Sequence, residues 1–378
     1  MKQLQNPWAR RALTAVCVIA SIGAGPMARA ASAGAVPTFQ VDPSWPPQLP
    51  NKWTTGQVSG LAMGADDHLF LIHRPRSVNA DQRLAAANPP GAECCIPAPP
   101  VIEFDRTGKV VRGWGGPGTG YDWPNTEHGI YVDGKGSVWV SGVAGTDFGR
   151  ILKFTSDGKF LLQIGENLPA GQKFSNDNPN VLGRQPADMF VDLKTNELFV
   201  ADGDGGASRM IVFDSETGKF KRLWGAYGEK PGELPAPAHD PNGPPSKVFS
   251  SAVHCVVEGN DGLLYVCDRN GDRFQIFKKD GTFVKEKIVE PKTMGIGTAF
   301  DIDFTPDHKF LYLVDGTNQK ILLLQRDTLE IVGSFGRLGQ GAGQFRNAHS
   351  IAVDSKNNVY ISETGEGKRA QKFVPSRK

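Results

Sequence analysis

The feature that most constrains the fold is a four-strand pattern that recurs along the chain. An apolar strand is followed by a short Gly/Asn/Asp turn and a second apolar strand, then by a third strand that ends in Phe. A fourth strand often ends in Trp-Gly or Phe-Gly, and the segment 129–165 contains a whole unit. Alternating apolar strands separated by such turns are typical of antiparallel hairpins.

Six units can be counted from their first strands, which open near Ser59, His128, Ala187, His254, Phe300 and His349. Four short strands per unit, repeated radially, are typical of propellers, which protect their sheet edges in this way. The sixth unit ends at Phe373 after about three strands, and residues 39–41 supply the missing one. The sequence therefore predicts an all-β fold, a six-bladed β-propeller whose ring is closed by an N-terminal strand. Two separate β-sandwich domains would not explain why all six units repeat the same strand pattern in the same register.

Residues 1–30 have the composition of a signal peptide. Lys2, Arg10 and Arg11 precede an apolar run at 12–24, and a small-x-small cleavage site follows at 28–30. We therefore expect a signal peptide at 1–30, a single propeller domain at 31–378, and a periplasmic or secreted protein. No later segment is apolar enough to cross a bilayer, so we expect no transmembrane segment after signal removal.

Charge and cysteines add two constraints. Four of the 42 Lys and Arg side chains lie in the first thirty residues and none of the 40 Asp and Glu does, so the processed chain carries a net charge of −2. This balance gives no reason to expect a nucleic-acid partner, and we expect a monomer.

Export permits disulfides among Cys94, Cys95, Cys255 and Cys267. Cys255 and Cys267 face one another across a predicted hairpin, but the sequence does not choose among the three possible pairings.

Connection lengths predict which face binds ligands. The turns between first and second strands are short, whereas the connections at 77–100, 166–184 and 226–245 are long. In an up-and-down blade these long connections emerge on one face, the face where each first strand begins. Elaborate loops on a rigid scaffold usually form the binding site.

Three histidines converge on that face. His128, His254 and His349 occupy one register of the innermost strand in the second, fourth and sixth units. Sixfold geometry turns this alternation into a threefold ring at the mouth of the tunnel. Three neutral imidazoles with an open coordination position are typical of catalytic zinc sites. The alternative is that the histidines only hold water.

Two arginines, Arg74 and Arg269, end second strands on the same face. A guanidinium near a metal suits a substrate carboxylate or oxyanion, because its planar fork binds two oxygens at once. The alternative for Arg269 is a salt bridge with Asp268 or Asp272.

These contexts resemble the NHL-repeat propellers and, within them, the peptidyl-α-hydroxyglycine α-amidating lyases. His73-Arg74 looks like the His-Arg of the lyases' first blade, and Asp268-Arg269 looks like the Asp-Arg of their fourth blade. The segment 56–60 is also similar, and the resemblance spans most of residues 55–375. It implies a six-bladed propeller that holds Zn²⁺ through the three histidines.

The chain departs from the lyase pattern at two positions. The lyases have an Asp-Gly-Tyr motif whose tyrosine acts as base, whereas this chain has Asp204 in the matching stretch 202–206. Asp204 is the replacement base that the resemblance implies, although a carboxyl is far more acidic than a phenol. The family also holds a structural Ca²⁺ with an aspartate after the third histidine, where this chain has Ser350.

The resemblance implies an exported zinc enzyme that cleaves a hemiaminal-like C–N bond in a small-molecule or peptide-derived substrate. Arg74 and Arg269 would orient substrate oxygens, with Asp204 as the base. One alternative is a lactonase-like hydrolase on the same fold; such propellers usually coordinate calcium through acids and Asn, whereas this ring is rich in histidine. Another is a non-catalytic NHL-type binding protein that uses the loop-rich face.

Overall fold

Strands form almost all of the regular structure. The computed structural model describes residues 36–145, 148–250 and 252–376, so the predicted signal peptide at 1–30 lies outside the described residues. In chain order the strands are β1 (Phe39–Asp42), β2 (Trp53–Thr54), β3 (Gln57–Met63), β4 (Leu69–Arg74), β5 (Ile96–Pro97), β6 (Val101–Phe104), β7 (Val110–Trp114), β8 (Thr126–Val132), β9 (Val138–Ala144), β10 (Phe148–Phe154), β11 (Phe160–Ile164), β12 (Pro186–Asp192), β13 (Glu197–Asp202), β14 (Arg209–Asp214), β15 (Phe220–Trp224), β16 (Val253–Glu258), β17 (Leu264–Asp268), β18 (Arg273–Phe277), β19 (Phe283–Ile288), β20 (Ala299–Phe304), β21 (Phe310–Asp315), β22 (Lys320–Gln325), β23 (Ile331–Phe335), β24 (Ala348–Val353), β25 (Val359–Glu363) and β26 (Arg369–Pro375). Short 3₁₀ turns occupy Pro50–Lys52, Pro75–Ser77, Ala80–Gln82, Leu84–Ala86, Ala226–Gly228 and Arg269–Gly271. No helix in the described part of the chain is long and apolar enough to span a bilayer.

Six four-stranded antiparallel sheets form the blades, as the repeat predicts. Blade one contains β3, β4, β6 and β7, and blades two to five each contain four consecutive strands from β8 to β23. Blade six combines β24, β25 and β26 with β1. The pairing of β1 with β26 places Val41 opposite Phe373 and thereby confirms the predicted closure by an N-terminal strand.

The hydrophobic core lies between the blades. Each of six buried apolar clusters joins the facing sides of two neighbouring sheets. Between blades three and four, for example, Phe199 and Trp224 pack with Phe249 and Phe277, all at most 3% exposed. Complete burial of such a side chain contributes roughly 1.5–3 kcal/mol. The apolar core is therefore divided among six interfaces between neighbouring blades.

Connections that enter three of the blades are held by arginines, of which Arg209 and Arg273 are buried. In blades three, four and six, the arginine that begins the third strand lies opposite the acid that ends the second strand. The pairs are Arg209–Asp202 at 2.9 Å, Arg273–Asp268 at 2.8 Å and Arg369–Glu363 at 2.6 Å. Each guanidinium also donates to backbone carbonyls of the connection that enters its blade. These three latches hold loops of the elaborated face in place.

The structure resolves the cysteine pairing that the sequence leaves open. Cys255 on β16 lies opposite Cys267 on β17, and the two form a disulfide. Cys94 is paired with its neighbour Cys95 in the long connection of blade one. The expected contact of Cys255 with Cys267 across the hairpin is confirmed.

Candidate metal centre

A register irregularity in every blade sets the direction of the tunnel-facing side chains. In each innermost strand, pairing with the second strand slips at the residue predicted to open the strand. A bulge bends a strand locally and turns a side chain away from its regular direction. Three of the residues at these slips are His128, His254 and His349, each at most 6% exposed.

The structure brings the three histidines together on the tunnel axis. Their ring centroids are 5.1 Å apart for His128 and His254, 5.0 Å for His128 and His349, and 4.9 Å for His254 and His349. One nitrogen from each ring lies within 4.8 Å of those of the other two. The three histidines could therefore hold one metal ion between them.

The neighbouring blades fix the orientation of each ring. Nδ1 of His128 lies 3.1 Å from the carbonyl oxygen of Ala187, and Nδ1 of His254 lies 2.7 Å from that of Phe300. Nδ1 of His349 lies 2.8 Å from the carbonyl oxygen of Ser59. Since a carbonyl only accepts, each Nδ1 carries a proton, and in the neutral ring Nε2 then presents a lone pair to the axis.

Blades one, three and five therefore take part in the site through their backbone. Ser59, Ala187 and Phe300 occupy the register of the histidines, and their carbonyls accept the Nδ1 hydrogen bonds. Sequence reasoning missed this role. A backbone carbonyl is present whatever the side chain, so the sequence carries no signal for it.

At His254 and His349 the local electrostatics favour the neutral imidazole, the form that binds metals. Burial and the charge of Arg269 hold the pKa of His254 well below its usual value, and its buried Nε2 has no hydrogen-bond partner. Burial, the other two histidines and the two arginines likewise hold the pKa of His349 well below its usual value. A buried nitrogen without a partner fits a site built for an ion.

Asp204 lies beside the ring. Its Oδ2 is 3.0 Å from Nε2 of His128 and 3.9 Å from Nε2 of His254. Its Oδ1 accepts a hydrogen bond of 2.9 Å from Arg269. Burial alone would raise the pKa of this carboxyl, but the hydrogen bond with His128 and the charge of Arg269 outweigh it and hold the pKa well below the usual value.

The two arginines lie near the ring in different settings. Arg74 donates from Nε to the carbonyl of Glu127 at 2.8 Å and from Nη1 to Oε1 of Gln57 at 2.8 Å. Arg269 is 8% exposed and lies over the ring of Phe300, 4.9 Å from its centroid.

Arg269 does form a salt bridge, but its partner is neither Asp268 nor Asp272, the two residues considered from the sequence. Asp268 instead accepts from the latch arginine Arg273 at 2.8 Å, and Asp272 lies 3.3 Å from His239. Arg269 pairs with Asp204, which is 65 residues away in sequence. The physical reason is that Asp268, although next to Arg269 in sequence, already pairs with Arg273 on the neighbouring strand. Closeness in sequence does not reveal this competition.

A cavity of about 610 Å³ opens next to Asp204. Gly205 and Gly206 form part of its wall. Phe174 and Arg184 come from the 166–184 connection, and Leu234 and Pro235 come from the 226–245 connection. Two of the three long connections thus line a cavity whose wall includes the two residues that follow Asp204.

Acidic side chains line the tunnel close to the ring. Asp188 and Asp301 share a narrow space with the histidines and Ser350. Oδ2 of Asp188 accepts from the amide of Val256 in the next blade at 2.9 Å, and Oδ2 of Asp301 accepts from the amide of Ile351 at 2.9 Å. Desolvation raises the pKa of Asp301 to about 6 and that of Asp188 well above its usual value. Sequence reasoning missed both, although each directly follows a residue at the register of the histidines.

Comparisons with known proteins give relatives of two kinds. No family model matches the chain. The chain is 28% identical over 291 residues to NHL repeat-containing protein 3 of Mus musculus, covering 73% of each protein. It is 24% identical over 312 residues to a probable peptidyl-alpha-hydroxyglycine alpha-amidating lyase of Caenorhabditis elegans, covering 82% of this chain and 80% of that protein.

Two further comparisons concern a larger protein and a solved structure. The chain is 27% identical over 333 residues to peptidyl-glycine alpha-amidating monooxygenase B of Xenopus laevis, covering 85% of this chain but only 34% of that protein. A solved streptogramin B lyase matches the fold with a TM-score of 0.52 at 12% identity, covering 85% of this chain and 94% of that one. The resemblance to NHL-repeat and amidating-lyase propellers expected from the sequence is confirmed, and the structural match supports the fold alone.

Proposed function

We propose that this protein is an exported zinc-dependent lyase that cleaves a hemiaminal-like C–N bond in a small-molecule or peptide-derived substrate. The observation that carries the proposal is the ring of three Nε2 atoms on the tunnel axis, each held by an Nδ1 hydrogen bond to the next blade. The similarity to a probable amidating lyase of C. elegans supports the reaction class.

The three histidines fit zinc. Catalytic zinc sites commonly use three histidines, oriented by hydrogen bonds from their second nitrogens to carbonyls or carboxylates. Zinc would supply Lewis acidity there, which makes a bound hydroxyl easier to deprotonate.

The remaining side chains of the site would bind the substrate and move its proton. Arg74 and Arg269 would hold substrate oxygens, because a guanidinium provides paired donors in a fixed plane. Asp204 would take the proton of the substrate hydroxyl while the C–O bond becomes C=O and the C–N bond breaks. The nitrogen then leaves as an amide or amine with a proton from solvent, and Asp204 returns its proton to solvent, so atoms and charge balance.

The cavity beside Asp204 suggests which substrates fit. Phe148, Phe174, Leu234 and Pro235 give it mostly apolar walls, and Arg184 adds a cation. Gly205 and Gly206, which form part of the cavity wall, directly follow Asp204 in the chain. A substrate with an apolar group next to the bond that breaks would place that group here.

Several expectations extend the proposal. The two disulfides suit an oxidising compartment, so we place the mature protein in the periplasm or outside the cell. A monomeric state, the absence of a nucleic-acid partner and a structural Ca²⁺ stay predictions. Asp301 and Asp188 line the same narrow space as Ser350.

A binding protein is the second candidate, and the similarity to NHL repeat-containing protein 3 favours it. In that case the cavity and the surrounding loops would bind a partner molecule, and the protein would catalyse no reaction.

A turnover assay separates the two candidates. Zinc-loaded protein would be incubated with a peptide that ends in α-hydroxyglycine, and glyoxylate release would be measured. We expect release, and a loss in kcat/KM of about 10- to 100-fold in Arg74→Ala, the equivalent of one charged hydrogen bond. The matched control is Arg112→Gln on an outer strand, where the side chain is 40% exposed. Zinc-loaded protein that releases no glyoxylate would contradict the lyase and favour the binding protein.

A further inference from the structure

We propose that Asp204 is the fourth ligand of the metal site, which makes the resting site a closed set of three histidines and one aspartate. The inference rests on the metal site of the proposed function and does not depend on the lyase reaction. It adds a ligand that comes from blade three, where no histidine faces the axis.

The first argument is that a single proton cannot satisfy all the atoms that meet at this point. In neutral rings whose Nδ1 donates to a carbonyl, Nε2 of His128 and Nε2 of His254 are acceptors. Oδ2 of Asp204 is a third acceptor, 3.0 Å and 3.9 Å from these nitrogens. Lone pairs directed at one another repel unless a cation lies between them. A proton on His128 would bridge one pair only and would leave the buried Nε2 of His254 without a partner. One shared metal ion satisfies all three atoms.

The second argument is spacing. Four ligands at about 2.0–2.1 Å from a tetrahedral zinc lie about 3.3 Å from one another. The two distances from Oδ2 of Asp204, 3.0 Å and 3.9 Å, lie on either side of this value. The carboxylate thus already occupies a vertex of the coordination shell relative to two of the histidines.

The third argument is the support behind the carboxylate. Oδ1 of Asp204 accepts from Arg269, which leaves Oδ2 for the metal. A ligand whose second atom is hydrogen-bonded is held in one orientation, as is usual around metal sites. The backbone is held as well, because the amide of Asp204 donates to the carbonyl of Gln185 at 3.1 Å and a Cβ on Gly203 would come within 2.2 Å of Val253.

A closed site has a consequence for substrate binding. Catalytic zinc sites keep one position for water or substrate, whereas four protein ligands leave none. A substrate oxygen would therefore enter by displacing Asp204, while Arg269 retains the carboxylate nearby. The displaced carboxylate would then lie next to the substrate hydroxyl, where a proton acceptor is needed.

The test measures metal binding rather than turnover. Co²⁺ replaces Zn²⁺ in the full processed chain, and the visible spectrum is recorded, since four-coordinate Co²⁺ absorbs more strongly than five- or six-coordinate Co²⁺. Zinc affinity is measured by competition with a chromophoric chelator. We expect a strong four-coordinate spectrum for the unmodified protein. Asp204→Asn should give a weaker spectrum and at least a tenfold loss in zinc affinity.

Two further variants keep the result unambiguous. Asp280→Asn, on an exposed turn, is the matched control and should leave both readouts unchanged. Asp204→Ala replaces Asp204→Asn if the latter does not fold, with the same expectation. An Asp204 variant with an unchanged spectrum and unchanged affinity would overturn the fourth ligand alone. Unmodified protein that binds neither ion would overturn the metal site and this inference together.

Discussion

The latch between Arg209 and the 166–184 connection makes a sharp prediction about stability. Arg209 and Asp202 are both 0% exposed, and their side chains lie 2.9 Å apart. The guanidinium also donates to the carbonyls of Asn176, Asn178 and Val181, at 2.6, 2.7 and 2.7 Å. Arg209→Gln would leave a buried carboxyl without its cationic partner and three carbonyls of the connection without their donor.

The expected loss follows from burial. Removing one partner of a buried ion pair costs about 3–5 kcal/mol, a large fraction of the roughly 5–15 kcal/mol that stabilises a typical protein. In urea, with a slope of about 3 kcal/mol per M, the midpoint should fall by about 1 M or more. The control is Arg112→Gln: this guanidinium is 40% exposed, and its partner Glu103, 5% exposed, keeps His68 at 2.7 Å, so the loss in the free energy of unfolding should be smaller than in Arg209→Gln.

A double variant separates the ion pair from the loop anchors. Asp202→Leu combined with Arg209→Met removes both charges, so the part of the loss due to an unpaired buried charge should be recovered. The part that remains measures the three loop carbonyls. If Arg209→Gln shifts the urea midpoint no more than Arg112→Gln does, the latch does not stabilise the fold and the reasoning is refuted.

Two further predictions concern the tunnel and the cavity. Desolvation raises the pKa of Asp303 to about 7, so the folded state binds this proton more tightly than the unfolded state and stability should fall as the pH rises from 5 to 8. Asp303→Asn should reduce that fall in thermal melting curves relative to Asp280→Asn, and equal falls in the two variants would contradict it. In the cavity, Phe174→Ala should raise the KM for a substrate with an apolar group next to the scissile bond by about tenfold, while a substrate without that group should show no change. Equal effects on both substrates would mean that the cavity does not hold this group.

Local signals account for most of the fold that the sequence predicts. The strand–turn pattern gives the blade, its repetition gives the number of blades, and the incomplete last unit points to residues 39–41 as the closing strand. The alternation of His128, His254 and His349 with Ser59, Ala187 and Phe300 predicts the ring, because sixfold geometry converts register into position.

Long-range contacts account for what the sequence does not predict. Asp204 meets His128 across 76 residues and Arg269 across 65, and no local pattern joins these segments. The partner of Arg269 is decided by the neighbouring strand, where Arg273 already holds Asp268. The bulges that turn the histidines toward the axis arise from the pairing of the first strands with the second strands. No particular residue type in the sequence indicates where such a bulge occurs.

The metal content of the purified, processed protein tests the account most directly, with His254→Ala and His68→Ala measured beside it. His68 lies on the outer part of blade one, paired with Glu103 at 2.7 Å, and serves as the matched histidine control. We predict about one zinc per chain in the unmodified protein and in His68→Ala, and its loss in His254→Ala. Unmodified protein that takes up no metal when zinc is added, or full zinc occupancy in His254→Ala, would contradict the assignment of the histidine ring as a metal centre.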